Sequence, residues 1–210
     1  MPRILVLAGV NGAGKSSLLG NYLRDDGLTW FNPDAFTREL EGAGYAHDEA
    51  NAKAWEEGRS RLARAIANGE DYAFETTLGG STIPALLREA METHEVIAWF
   101  CGLSNAELHI ERVAERVAQG GHDIPEHKIR ERFDRSRQNL IALAHGLTTI
   151  HVYDNSAPMY DGVASPQLVL ELDRGVILYP SNVEELGATP AWAAPIVEHA
   201  VQLHPPAWLG

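Results

Sequence analysis

The stretch that most constrains this chain is Gly9-Val10-Asn11-Gly12-Ala13-Gly14-Lys15-Ser16-Ser17. Its spacing, G-x-x-x-x-G-K-S, turns successive backbone N–H groups into one concavity that fits a polyphosphate. Lys15 then reaches the outer phosphates, and the Ser16 hydroxyl can ligate a bridging Mg²⁺. The flanks agree. The apolar run Ile4-Leu5-Val6-Leu7-Ala8 ahead of it reads as a buried strand. Ser17-Leu18-Leu19-Gly20-Asn21-Tyr22-Leu23 behind it reads as a helix start, whose N-terminus brings a positive dipole end under the phosphates. We therefore expect a nucleoside triphosphate, ATP, to be held by Asn11, Gly12, Ala13, Gly14, Lys15, Ser16 and Ser17, with Ser16 also on the metal.

Beyond the loop, short apolar runs alternate with longer helix-period segments, the pattern of a mostly parallel sheet with helices on both faces. Strands are expected at 4–8, 28–31, 72–74, 96–100 and 148–153. Three stripes at helical spacing read as core: Trp55, Leu62 and Ile66; Ala106, Ile110, Val113 and Val117; and Ile129, Phe133, Leu140 and Ala144. Asp123-x-x-Glu126 resembles a capping box, which makes Asp123 the expected cap of the third helix. Residues 168–172 and 176–179 around Asp173-Arg174-Gly175 read as a hairpin, and 190–203 as a closing helix. No stretch is long enough to be an interdomain linker. The expectation is one α/β domain of the P-loop NTPase three-layer type over 1–210: a core at about 1–155, a lid at about 112–137, and a C-terminal extension at about 156–210 carrying the hairpin and helix.

Charge narrows the partners. A formal net charge of −12 offers no footprint for a nucleic acid. Yet Arg112, Arg116, Lys128, Arg130, Arg132, Arg135 and Arg137 crowd seven of the 17 basic residues into one segment. Cys101 is the lone cysteine and lies against an apolar run, so inert packing is expected of it. No apolar run reaches membrane-spanning length and no signal peptide is apparent, so a cytoplasmic chain without membrane contact is expected.

In an open α/β sheet, ligands sit at the carboxyl ends of the parallel strands. Polar residues follow three expected strands: Asn32-Pro33-Asp34, Glu75-Thr76-Thr77 and Asp154-Asn155-Ser156. Asp34 is a candidate base to orient an acceptor hydroxyl and take its proton; it is equally a candidate helix cap. Glu75 can hold a substrate hydroxyl or a Mg²⁺-bound water, with Thr76 and Thr77 adding hydrogen bonds, or simply end a strand at the surface. Asp154 reads equally as a metal-orienting carboxylate or a turn cap. Arg112 and Arg116 share one helix face, as do Arg132 and Arg135, with Gly120-Gly121 between the pairs. That looks like a lid closing guanidinium groups over ATP, with Arg116 first and then Arg132 and Arg135. The interleaved Glu111, Glu115, Glu131 and Asp134 offer the plainer alternative of a solvated face, assigned above all to Arg112, Arg130 and Arg137. His122, in the lid, is the one histidine singled out.

Taken together, the ordered set resembles the zeta-toxin-like P-loop kinases. The resemblance rests on residues 9–17, on Asn32-Pro33-Asp34, on Phe74-Glu75-Thr76-Thr77, on residues 116–125 and on Tyr153-Asp154-Asn155-Ser156, and spans roughly 3–180. It implies transfer of the ATP γ-phosphate to a hydroxyl of a small acceptor, in the family a UDP-activated amino sugar, with an antitoxin-like protein as partner. By motif it makes Asp34 the base, Lys15 and Ser16 the ATP–Mg²⁺ ligands, Glu75 a substrate ligand, and Arg116 a phosphate-stabilising residue. The Asn-Pro-Asp and Glu-Thr-Thr sequences match the family's predicted-ATPase branch better than its toxin branch. Alternatives are a sugar or shikimate-type kinase, and a nucleotide-gated ATPase or switch acting on a protein partner.

Overall fold

β1 (Arg3–Ala8), β2 (Tyr72–Thr76), β3 (Glu95–Gly102) and β4 (Thr149–Asp154) run parallel, and β5 (Gln167–Asp173) and β6 (Val176–Tyr179) add an antiparallel hairpin. The sheet order is β2-β1-β3-β4-β5-β6. The computed structural model describes residues 1–16, 30–158 and 165–209. Ser17, the helix expected at 17–23 and positions 28 and 29 of an expected strand lie outside that set. From the expected strand at 28–31, Phe31 contributes a single parallel bridge to Phe74, its N–H donating to Ala73 O at 2.8 Å.

Helices fill the intervals: α1 (Pro33–Gly42), α2 (His47–Asn68), α3 (Thr82–Ala90), α4 (Ala106–Ala118), α5 (Glu126–Leu143), α6 (Val183–Gly187) and α7 (Ala194–Leu203). None of them is long and apolar enough to cross a membrane. The continuous apolar run of β1 follows from burial on both sides. Ile4, Val6 and Ala8 face the main core, with Leu62 and Ile66 of α2, Leu87 of α3, Leu140 of α5 and Ile196 of α7. Leu5 and Leu7 face the other way, beside Ala73, Trp30 and Trp99. A third cluster joins Val10 at the end of β1 to Val113 of α4 and Ile129 of α5.

Three expectations change. Trp55 is not core: it is 50% exposed, whereas Leu62 and Ile66 are buried. Asp123 does not cap α5; that helix starts one residue after Pro125, which takes the cap position without a side-chain bond. Proline fixes its own φ and pushes the residue before it out of helical geometry, so the start moves past Asp123. Asp34 does not cap α1 either. Asn32 does, its Oδ1 accepting from Ala35 N at 3.0 Å, with Pro33 as the first helical residue.

Candidate active site

The loop after β1 is held from behind. Asn11 O lies 2.9 Å from His109 Nδ1 of α4, and Ala13 O accepts from Asn155 Nδ2 at 2.9 Å and from Cys101 Sγ at 3.1 Å. In a trans peptide the C=O and the following N–H point oppositely, so the N–H groups of Gly12 and Gly14 face away from these partners. Gly9, Gly12 and Gly14 all take positive φ, at 142°, 82° and 83°. At Gly9 the fit is tightest: a Cβ there would lie 2.2 Å from the Cys101 carbonyl oxygen.

Burial decides the protonation of the groups behind the loop. His109 is fully enclosed, and desolvation pushes its pKa down to about 4. It is therefore neutral near pH 7, and its Nδ1–H donates to the Asn11 carbonyl. Burial pushes the Cys101 thiol up to about 12, so it packs as a thiol rather than reacting. Arg132 of α5 donates from Nη1 to Asn11 Oδ1 at 2.7 Å; burial lowers its pKa from the usual value, opposed by Asp34 and Glu131, and the guanidinium stays charged.

In front of the loop, Glu75 is the hub. Its Oε2 accepts from Ser16 Oγ at 2.8 Å and from Asn32 Nδ2 at 3.0 Å, while Oε1 lies 3.5 Å from Lys15 Nζ. The Phe31 bridge explains this convergence: Glu75 N donates to Phe31 O at 2.9 Å, which sets Asn32 beside the end of β2. Glu75 and Thr76 lie inside β2 rather than after it. Thr76 Oγ1 and Thr77 Oγ1 accept from Leu78 N and Gly79 N at 3.0 and 3.4 Å, shaping the turn that follows. Both threonines line the cleft.

Asp34 stands in the first turn of α1, its side chain 60% exposed, with Arg116 Nη1 3.6 Å from Oδ2. Arg116 Nη2 also donates to His122 O at 3.0 Å. Arg132 and Arg135 line the cleft, and Arg135 pairs with Glu131 at 3.3 Å. The remaining arginines of the 112–137 segment lie elsewhere. Arg130 is paired with Glu107, Arg137 with Asp134 at 2.6 Å, and Arg112 donates to Ala157 O at 3.2 Å. Asp154 Oδ1 accepts from Ser156 N at 2.9 Å, the geometry of a turn cap.

Lys15, Asp34, Glu75, Arg132 and Arg135 share one cavity of about 910 Å³, which runs from Asn11 to the α2 residues Asn51, Trp55 and Arg59; Arg116 stands beside it, against Asp34, and does not line it. Trp55 thus opens onto the cleft. Sequence reasoning placed Asn32 and Asn155 at the nucleotide edge without giving either a role, and missed His109 and the α2 wall. The capping role of Asn32 had a local signal, because Pro33 marks a first helical position and so points to the residue before it as cap. Among the described residues, no three His, Cys, Asp or Glu side chains cluster as a metal cage. A hydroxyl and a carboxylate 2.8 Å apart nevertheless fit a Mg²⁺ ion that keeps waters and phosphate oxygens as its other ligands.

The family model described as an AAA domain matches residues 4–143 of the 210. The chain belongs to this family. Among solved structures, the AvrRxo1-ORF1:-ORF2 complex with ATP aligns at TM-score 0.63 and 18% identity, over 91% of this chain and 64% of that one. The PezAT toxin–antitoxin system of Streptococcus pneumoniae aligns at 0.55 and 15%, over 79% of this chain and 71% of that one. The Pnkp1/Rnl/Hen1 RNA repair complex aligns at 0.52 and 18%, over 66% and 45%. No curated protein sequence matches. At these identities the likeness is one of fold, that of P-loop kinases, and the family's phosphate loop is a nucleotide-binding element.

Proposed function

We propose that the chain is an ATP-dependent phosphotransferase that moves the γ-phosphoryl group to a hydroxyl of a small acceptor. One observation carries the reading: the loop that would hold the phosphates and the exposed carboxylate of Asp34 open into the same cavity, with a separate polar and aromatic wall on α2. A module that only binds nucleotide has no use for a cavity that continues past a carboxylate to a further wall.

Each residue then has a task. The loop N–H groups and Lys15 hold the ATP phosphates; Ser17 belongs to the motif by sequence alone. Ser16 and Glu75 would hold Mg²⁺, which supplies charge neutralisation at the phosphates. Asp34 orients the acceptor hydroxyl and takes its proton. Arg116, Arg132 and Arg135 offset negative charge on the phosphoryl oxygens. Thr76, Thr77, Asn51 and Trp55 face the acceptor, with Trp55 giving a flat apolar surface. A UDP-activated amino sugar is the first acceptor to try. An antitoxin-like protein covering the cleft is the corresponding partner, as one of the similar structures pairs two proteins and another is named a toxin–antitoxin system.

The test is ATP turnover with Mg²⁺ against nucleotide sugars, free sugars and nucleosides, followed by mass spectrometry. Gain of one phosphoryl group by a single acceptor, lost in Asp34→Asn while ATP still binds, is the expected result. Hydrolysis indifferent to every acceptor would replace the kinase with an ATPase or a partner-dependent switch.

A further inference from the structure

Two imidazoles meet face to face beside the cleft. His47, the first residue of α2, stacks on His122 of the α4–α5 loop with ring centroids 3.6 Å apart and planes inclined by 25°. His47 is held from behind, its Nδ1 2.5 Å from Glu41 Oε1. His122 is held through its backbone, whose carbonyl accepts from Arg116 Nη2 at 3.0 Å. Arg116 in turn reaches Asp34 Oδ2 at 3.6 Å. Asp34 and Glu41 both belong to α1, so the contacts close a circuit: α1 to α2, to the α4–α5 loop, to Arg116 and back to α1. Within that circuit the Arg116 Nε is buried and has no hydrogen-bond partner among the described residues. An unmet guanidinium donor beside the cleft carboxylate Asp34 leaves Arg116 with capacity for one more acceptor.

Resting on the phosphotransferase reading above, we propose that His47 is a positioning residue: by stacking on His122 it pins the α4–α5 loop, and through the His122 carbonyl it fixes Arg116 beside Asp34, aimed at the nucleotide phosphates. The surrounding charges are compatible with a neutral His122 ring. Glu41 and Asp34 approach from α1, Arg116 from α4, and Asp48 and Asp123 flank the two rings in sequence. Burial, then His47 and Arg116, hold His122 below the usual imidazole range, against the opposing pull of Asp34 and Glu41. Without the stack, the loop carbonyl no longer orients the guanidinium, and the long arginine side chain regains its rotamers.

The experiment measures binding of the non-hydrolysable analogue AMP-PNP with Mg²⁺ to the full chain by calorimetry. The variants are Arg116→Ala, His47→Gln, which can still bond Glu41 but has no ring, and His47→Phe, which keeps a ring without the bond. Arg116→Ala is expected to weaken binding about tenfold, the range of a charge-assisted contact. His47→Gln should weaken it about threefold or more and add nothing on the Arg116→Ala background, because both changes act through one contact. His47→Phe should restore near-normal affinity. The His122 C2–H proton resonance should move downfield in His47→Gln as the ring current is lost; His47→Asn replaces Gln if that variant does not fold.

Affinity unchanged in His47→Gln, or equal losses in both backgrounds, overturns the positioning role and leaves the phosphotransferase reading standing. Wild-type affinity in Arg116→Ala removes the phosphate contact on which the role depends. A wild-type chain that does not bind AMP-PNP overturns the nucleotide reading itself.

Discussion

Glu75 Oε2 accepts a hydrogen bond from Ser16 Oγ at 2.8 Å, so the hydroxyl expected to ligate metal already rests on a carboxylate. The other carboxylate oxygen lies 3.5 Å from Lys15 Nζ, and both side chains are almost enclosed. Glu75 is therefore the counter-charge of Lys15 when no phosphate is there.

Replacing Glu75 by Gln leaves that ammonium buried without an anion. Breaking such a pair costs on the order of 3 kcal/mol. Phosphates restore the missing charge, so ATP without Mg²⁺ should raise the melting temperature more in Glu75→Gln than in the wild type. Thermal melts with and without nucleotide check this; equal shifts would detach Glu75 from Lys15 energetically.

Gly9 has no room for a methyl group. Positive φ costs an L-residue about 1–2 kcal/mol, and the contact with the Cys101 carbonyl adds to it. Gly9→Ala should lose roughly 3 kcal/mol or more of stability, read as a lower urea midpoint. A change within about 0.5 kcal/mol would mean that the loop and β3 separate readily.

His109 makes stability depend on pH. Its folded pKa of about 4 lies below the unfolded value of 6.5, so its contribution is complete above pH 6.5. As pH falls the unfolded chain takes up the proton first, and the contribution is lost progressively until pH reaches about 4. The loss amounts to at most about 3 kcal/mol. His109→Asn keeps a donor for Asn11 but does not titrate, so its urea midpoint should fall less than the wild type's between pH 6.5 and pH 4. Parallel curves would show that His109 does not titrate as its burial requires.

On the phosphotransferase reading, Trp55 supplies surface rather than chemistry. With the acceptor identified, Trp55→Ala should raise the acceptor KM about tenfold and leave kcat within about twofold, the pattern of binding energy shared by ground and transition states. Steady-state kinetics decide. A fall in kcat at unchanged KM would instead make Trp55 part of the reacting geometry.

The phosphate loop, the parallel sheet and the C-terminal hairpin were legible because each is written in adjacent residues. The α2 wall of the cleft was not. Trp55, Leu62 and Ile66 share one helical stripe, and periodicity separates inward from outward positions without distinguishing a core from the wall of a cleft. Asp123 failed as a cap because Pro125 overrode the capping pattern, whereas Pro33 announced Asn32 for anyone weighting that signal. His109 carries no local mark at all, and Asn155 is marked only by its place after a strand; their roles come through contacts 98 and 142 residues distant in the chain.

Val10 belongs at once to the phosphate loop and to the cluster with Val113 and Ile129. The nine-residue motif therefore does not own its shape. A fragment ending before α4 would still spell the motif but would lack His109, Arg132 and Asn155, and nothing would hold its carbonyls to the rear. The nucleotide cradle is a property of the assembled chain, and grafting the loop alone onto another strand would transplant the letters without the fold that gives them their orientation.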